Sequence, residues 1–108
     1  MLIYHITSPK LWERAAEIGK YRHPSLDSEG FIHCSTEAQL PETLKRHFAE
    51  ATEVLILAIV ERRVRPKLKW EAATNEELFP HIYGVMPIEC VEFMDMWLKN
   101  AEGEWEKC

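Results

Sequence analysis

The chain has 108 residues, 46% of them hydrophobic, including four Trp and four Phe. That length supports one domain, residues 1–108, able to bury about two-thirds of its unfolded surface without disulfide or metal staples. The net charge of −5 argues against nucleic acid or an anionic membrane as a general partner.

Residues 2–7, β-branched and aromatic, predict an opening strand. Ser8 caps the next helix and Pro9 takes its first turn, where a missing N–H is harmless. Leu11, Ala15 and Ile18 mark that helix's apolar face and Gly19 its end. Residues 20–30 carry Pro24, Ser25, Asp27, Ser28 and Gly30, the composition of a surface loop, and loops of that length are often functional. Residues 31–35 predict a short strand. A turn then leads to a helix over 41–51, with Leu44 and Phe48 inward and Pro41 excluding an earlier start.

Residues 53–60 are nearly all apolar, as in a strand buried on both faces. Residues 67–71 alternate, which turns Leu68 and Trp70 inward and Glu71 outward. Residues 79–83 and 88–97 predict further strands, and the polar tail 99–108 is expected to fray. Two helices and about six strands give an α+β fold, with a split or strongly bent mixed sheet.

Cys34 and Cys90 lie in apolar runs and are expected buried and reduced. No leader sequence opens the chain, and its longest apolar run, 54–60, is too short to span a bilayer; the expectation is a cytoplasmic protein. The basic run Arg62, Arg63, Arg65, Lys67 and Lys69 suits either phosphate steering or protection of an edge strand.

Period-two alternation places Ile3, His5 and Thr7 on one strand face. Phe31, His33 and Ser35 share another, and Phe79, His81 and Tyr83 a third. Ile6, Cys34 and Ile82 then point into the core, and the three histidines converge on a concave, ligand-binding surface. His23 and His47 are placed on the surface. No HxH or HxxxH pair exists, so no metal is assigned. Adjacent His33 and Cys34 point to opposite faces and form no catalytic pair.

The strings Ile3-Tyr-His-Ile-Thr7, Glu29-Gly-Phe-Ile-His-Cys-Ser35 and Phe79-Pro-His-Ile-Tyr-Gly84, with Trp12, Ser25-Leu26, Gln39 and Trp70-Glu71, resemble a mostly bacterial family of unknown function, domain nine-five-two. That resemblance implies an ADP-ribosyltransferase-like fold. Tyr4-His-Ile-Thr also resembles the Tyr-His-Gly-Thr opening of the RNA 2′-phosphotransferases that consume NAD, and Ile32-His33-Cys-Ser35 their His-Val-His-Leu-Ser. By resemblance, His5 and Thr7 would bind the ribose and amide region of NAD, and His33 and Ser35 would line the same cleft. The chain shows no match to the phosphotransferases' RNA-binding domain or catalytic arginines, and Glu71 alone could stand for a transferase glutamate.

Two functions follow as expectations. One is an enzyme that binds NAD or an ADP-ribose-like nucleotide and transfers a glycosyl or ADP-ribosyl group, with Tyr83 or Phe79 stacked on nicotinamide and His81 or Glu71 as base or charge stabiliser. The other is a non-catalytic module for a nucleotide or other small ligand.

Overall fold

A computed structural model describes residues 1–73 and 75–108. The chain opens with strand β1 (Leu2–Thr7) and helix α1 (Pro9–Ile18). Ser8 Oγ accepts the Leu11 N–H, and Gly19, at φ 89°, closes α1 in a left-handed conformation a side chain would resist. Strand β2 (Lys20–Tyr21) and the one-turn helix α2 (Ser25–Ser28) follow, then β3 (Ile32–His33). Helix α3 (Leu40–His47) is entered through a 3-10 turn that Thr36 and Gln39 cap reciprocally. Next come β4 (Glu53–Val60), the one-turn α4 (Glu61–Val64), β5 (Leu68–Ala72) and β6 (Leu78–Ile82). Strands β7 (Met86–Pro87), β8 (Val91–Lys99) and β9 (Trp105–Lys107) complete the order.

Among the described residues three sheets form, with strand orders β1-β4-β8-β9, β2-β7 and β3-β6-β5. Tyr4 and Ser35 exchange backbone hydrogen bonds of 2.8 and 2.7 Å, which joins β1 to the sheet containing β3. The split architecture is thus observed, but every strand pairing among the described residues is antiparallel where a mixed sheet was expected. The short connections β5–β6 and β8–β9 allow no other sense, because parallel neighbours need a long crossover.

Strand β4 is buried on both faces, as its composition requires. Leu55, Leu57 and Ile59 pack with Ile3, Ala15, Ile32 and Ile82 in one core. Val54 and Ile56 pack with Ile6, Leu40 and Leu44 in a second, which Trp97 and Trp105 cover. Ile6, Cys34, Ile82 and Cys90 are all buried.

Four further expectations fail. Residues 20–30 are not a bare loop: Tyr21 pairs in β2 and is 0% exposed, one aromatic outweighing its polar neighbours. The tail does not fray, because β9 pairs with β8 and Trp105 reaches the second core. Helix α3 ends at His47 rather than Ala51. Trp70 is 37% exposed, because β5 lies at the margin of its sheet and the core covers only part of its inner face.

Candidate functional site

Strand register builds the site. Across β3 and β6, Ile32 stands opposite Ile82 and His33 opposite His81. Across β5 and β6, Lys69 stands opposite His81 and Glu71 opposite Phe79. Residues two apart share a face, so the two isoleucines enter the core while His33, His81, Lys69 and Glu71 share the outward side. The His33 and His81 rings lie 5.4 Å apart, and Phe31 stacks on His81 at 4.0 Å and 16°.

Each ring of this ledge has a carboxylate. His81 Nδ1–H donates to Glu71 Oε1 at 2.7 Å, and the Tyr83 hydroxyl donates to the same oxygen at 2.6 Å. His33 Nε2–H donates to Glu29 Oε2 at 2.8 Å. The Tyr83 and His81 hydrogen bonds hold the Glu71 carboxyl below the usual carboxylate range, and the His33 bond does the same for Glu29. Reciprocally, the bond to Glu71 pushes the Tyr83 phenol up. The Lys69 ammonium sits 4.8 Å over the Tyr83 ring.

His5 lies beneath this ledge rather than on it. It is 2% exposed, and its Nδ1–H donates to the His33 carbonyl at 2.5 Å. Its Nε2 stands 2.7 Å from the Tyr21 hydroxyl, which stands 2.7 Å from Thr7 Oγ1. Burial pushes the His5 pKa down to about 3, so the ring is neutral. The Tyr21 hydroxyl, which donates to Thr7 Oγ1, links the ring to Thr7 in one buried network, and Nδ1–H donates to the carbonyl.

Of the residues expected to converge, the structure brings His33, His81, Tyr83 and Glu71 together on the outside. His5 and Thr7 are instead closed into the buried network, because β2 folds Tyr21 over the face of β1 that alternation alone would leave open. Ser35 is buried with its hydroxyl 3.2 Å from Thr43 on α3. Two shallow hollows lie away from the rings, about 70 Å³ beside Tyr4, Asp95 and Trp97, and about 170 Å³ beside Arg63, Lys67 and Ile82. Among the described residues, no group of three or more His, Cys, Asp or Glu side chains is arranged to hold a metal ion, and no helix is long and apolar enough to cross a membrane.

Sequence reasoning missed three participants: Tyr21, Glu29 and His23. The His23 ring meets His5 edge-on at 5.0 Å, and its Nδ1 lies 3.0 Å from the Ser25 backbone nitrogen and 2.8 Å from the Ser25 hydroxyl. Burial, and then the charge of His33, push its pKa down. The period-two spacing of Tyr21 and His23 directly after the Gly19 stop was the available signal.

An α+β domain of antiparallel sheets with an outward histidine–carboxylate ledge is the class that fold and site define. The chain belongs to the family described as protein of unknown function (DUF952), which matches residues 6–94. The crystal structure of protein CC0527 from Caulobacter crescentus is similar over 98% of this chain and 94% of that one, at 29% identity and a TM-score of 0.89. Its solution NMR structure is similar over 94% and 89%, at 30% identity and 0.82. No curated protein matches the chain.

Proposed function

We propose that the ledge binds NAD or an ADP-ribose-like nucleotide and transfers its glycosyl or ADP-ribosyl group to an acceptor hydroxyl. The observation that carries this reading is the position of Glu71: it shares a face with His81 and engages both the His81 ring and the Tyr83 hydroxyl. An ionised carboxylate at that point suits a step that develops positive charge. The ribose C1′–nitrogen bond breaks, its electron pair leaves with nicotinamide, and Glu71 stabilises the oxocarbenium-like centre. The acceptor oxygen bonds to C1′ and its proton passes to His81 Nε2, whose opposite nitrogen Glu71 holds. Phe31 and Tyr83 supply aromatic faces for the planar base. The strings around His5, His33 and His81, and the bridging of β1 to β3, support kinship with ADP-ribosyltransferase-like folds.

A second reading, a binding module without catalysis, is favoured by one observation. His5 and Thr7, which the phosphotransferase resemblance assigns to NAD, have their polar atoms engaged in the Tyr21 network. On this reading the nucleotide rests on the ledge alone.

Thermal-shift titration with NAD, NADP, ADP-ribose and 2′-phosphorylated RNA tests both, because a ligand of the native state raises Tm by mass action. The transferase reading expects stabilisation by NAD and release of nicotinamide. Glu71→Gln then keeps the shift and slows release by about 10²–10³-fold, the scale of one electrostatic stabiliser. Binding without release supports the module, and no shift from any of the four contradicts both.

A further inference from the structure

On the sheet β1-β4-β8-β9, helix α3 covers only part of the face that carries Tyr4. Strand register sets Tyr4, Ala58 and Phe93 side by side across β1, β4 and β8, and Ile6, Ile56 and Asp95 in the next row. Leu40 and Leu44 pack over the row of Ile6 and Ile56. Ala58 brings only a methyl group between its two aromatic neighbours, so the surface dips there. The dip is the hollow of about 70 Å³, lined by the rings of Tyr4, Phe93 and Trp97 and by the carboxylates of Glu37 and Asp95. Phe93 is 45% exposed, a large apolar side chain left facing water. Among the described residues that line the hollow, the one cation is Lys107, which β9 sets opposite Trp97. Its Nζ stands 3.6 Å from Asp95 Oδ2. Burial, and then the charges of Glu37 and Asp95, push the Tyr4 phenol up, so both carboxylates act on the same ring.

Aromatic faces attract cations through their quadrupole, and carboxylates beside them add net negative charge. An anion is therefore excluded, and a hard metal ion demands more oxygen ligands than two carboxylates and a phenol supply. A bare ammonium is compact and strongly hydrated, whereas a methylated one joins positive charge to apolar surface, which suits rings over a floor of Leu40 and Ile56. Lys107 shows the preference within the chain: it brings a cation to the rim through an exposed ion pair, weak enough for a ligand to displace. We propose that this hollow binds the quaternary ammonium head of a small free cation of the choline type. Tyr4, Phe93 and Trp97 meet its methyl groups, and Glu37 and Asp95 supply the countercharge. A phospholipid head group is disfavoured, because its phosphate would lie near the same two carboxylates. The site uses none of the ledge residues and is independent of the nucleotide reading.

The test is a proton–nitrogen NMR titration that follows the Trp97 indole N–H and the Phe93 amide. The probes are choline, its uncharged isostere in which carbon replaces nitrogen, phosphocholine, and the amide of acetylated trimethyl-lysine. Choline should bind the wild type about tenfold more tightly than the uncharged isostere, the scale of a cation held by one or two rings. It should also bind more tightly than phosphocholine. Phe93→Leu keeps apolar bulk at an exposed position and should weaken choline by about threefold while leaving the isostere unchanged. Lys107→Gln removes the competing cation and should tighten choline by about threefold, the scale of an exposed ion pair. Equal affinity for choline and the isostere would overturn the proposal, as would no movement of either signal, and both comparisons need the wild type alone. Choline binding that Phe93→Leu leaves intact, or that Lys107→Gln fails to strengthen, would overturn it too. Tighter binding of phosphocholine or of the trimethyl-lysine amide would contradict the assignment to a free cation.

Discussion

Two groups in this molecule pair a histidine with a tyrosine, and they differ in what is left over. In the inner group, His5, Tyr21 and Thr7 form a chain ending on the His33 carbonyl, with both imidazole nitrogens engaged and the ring 2% exposed. In the outer group, His81 and Tyr83 share Glu71, a carboxylate open to water, and His81 keeps one nitrogen free. A polar group removed from water must have its hydrogen bonds completed inside the protein, since an unpaired one costs about 1–3 kcal/mol. A group that binds ligand must keep a valence unspent. The same residue types therefore serve structure in one place and chemistry in the other, and the hydrogen-bond inventory separates them more reliably than residue identity does.

The largest expected effect lies in the inner group. His5→Ala opens a cavity and removes the ring's bonds to the His33 carbonyl and to the Tyr21 hydroxyl, which keeps only Thr7, and should lower the unfolding free energy by about 3 kcal/mol in a urea titration. A loss near zero would mean that water replaces the ring and that the two groups are alike.

The pH dependence is next. The His5 pKa falls from 6.5 to about 3 on folding, so between those values the unfolded chain holds a proton that the native protein lacks. Stability therefore rises with pH across that window and is lost as pH falls from about 6.5 towards 3, by about 1.4 kcal/mol per pH unit. His23, also shifted down, adds in the same direction. Urea titrations from pH 4 to 7 should show this slope in the wild type and a much shallower one in His5→Gln.

The smallest effects belong to the outer group. Glu71→Gln should leave the unfolding midpoint nearly unchanged, because the carboxylate is partly exposed and solvent screens its pairing. Its signature is spectroscopic: without Glu71 the Tyr83 phenol should titrate at a lower pH, towards its ordinary value, in an ultraviolet absorbance titration. His33→Ala should likewise spare the fold while the Glu29 carboxyl, released from its partner, titrates higher in a carbon-13 NMR experiment. A large stability loss in either variant would place the ledge with the structural group.

Alternation in the sequence was enough to place Cys34 and Ile82 inward and His33 and His81 outward, because β3, β5 and β6 each cover the core with one face only. It also placed Glu71 in the opposite phase to Leu68, which is why that carboxylate meets His81. Alternation could not settle His5, because both faces of β1 are covered: Ile6 by α3, and Ile3, His5 and Thr7 by elements that arrive later in the chain. Tyr21 closes that face from a two-residue strand whose partner, Met86, lies 65 positions away (86 − 21). A contact of that range leaves no local pattern. Trp105 in the tail is the same case, an apolar residue in a polar segment that becomes legible only through its strand partner.

The most direct measurement is a long-range proton–nitrogen NMR spectrum of the imidazoles during a titration with NAD at pH 7. The account predicts a neutral His5 with its proton on Nδ1 and little response to NAD. It also predicts the His81 proton on Nδ1, and shifts of the His33 and His81 rings as nucleotide binds. A His5 ring that responds first, or ledge rings that do not move while NAD stabilises the protein, would contradict it.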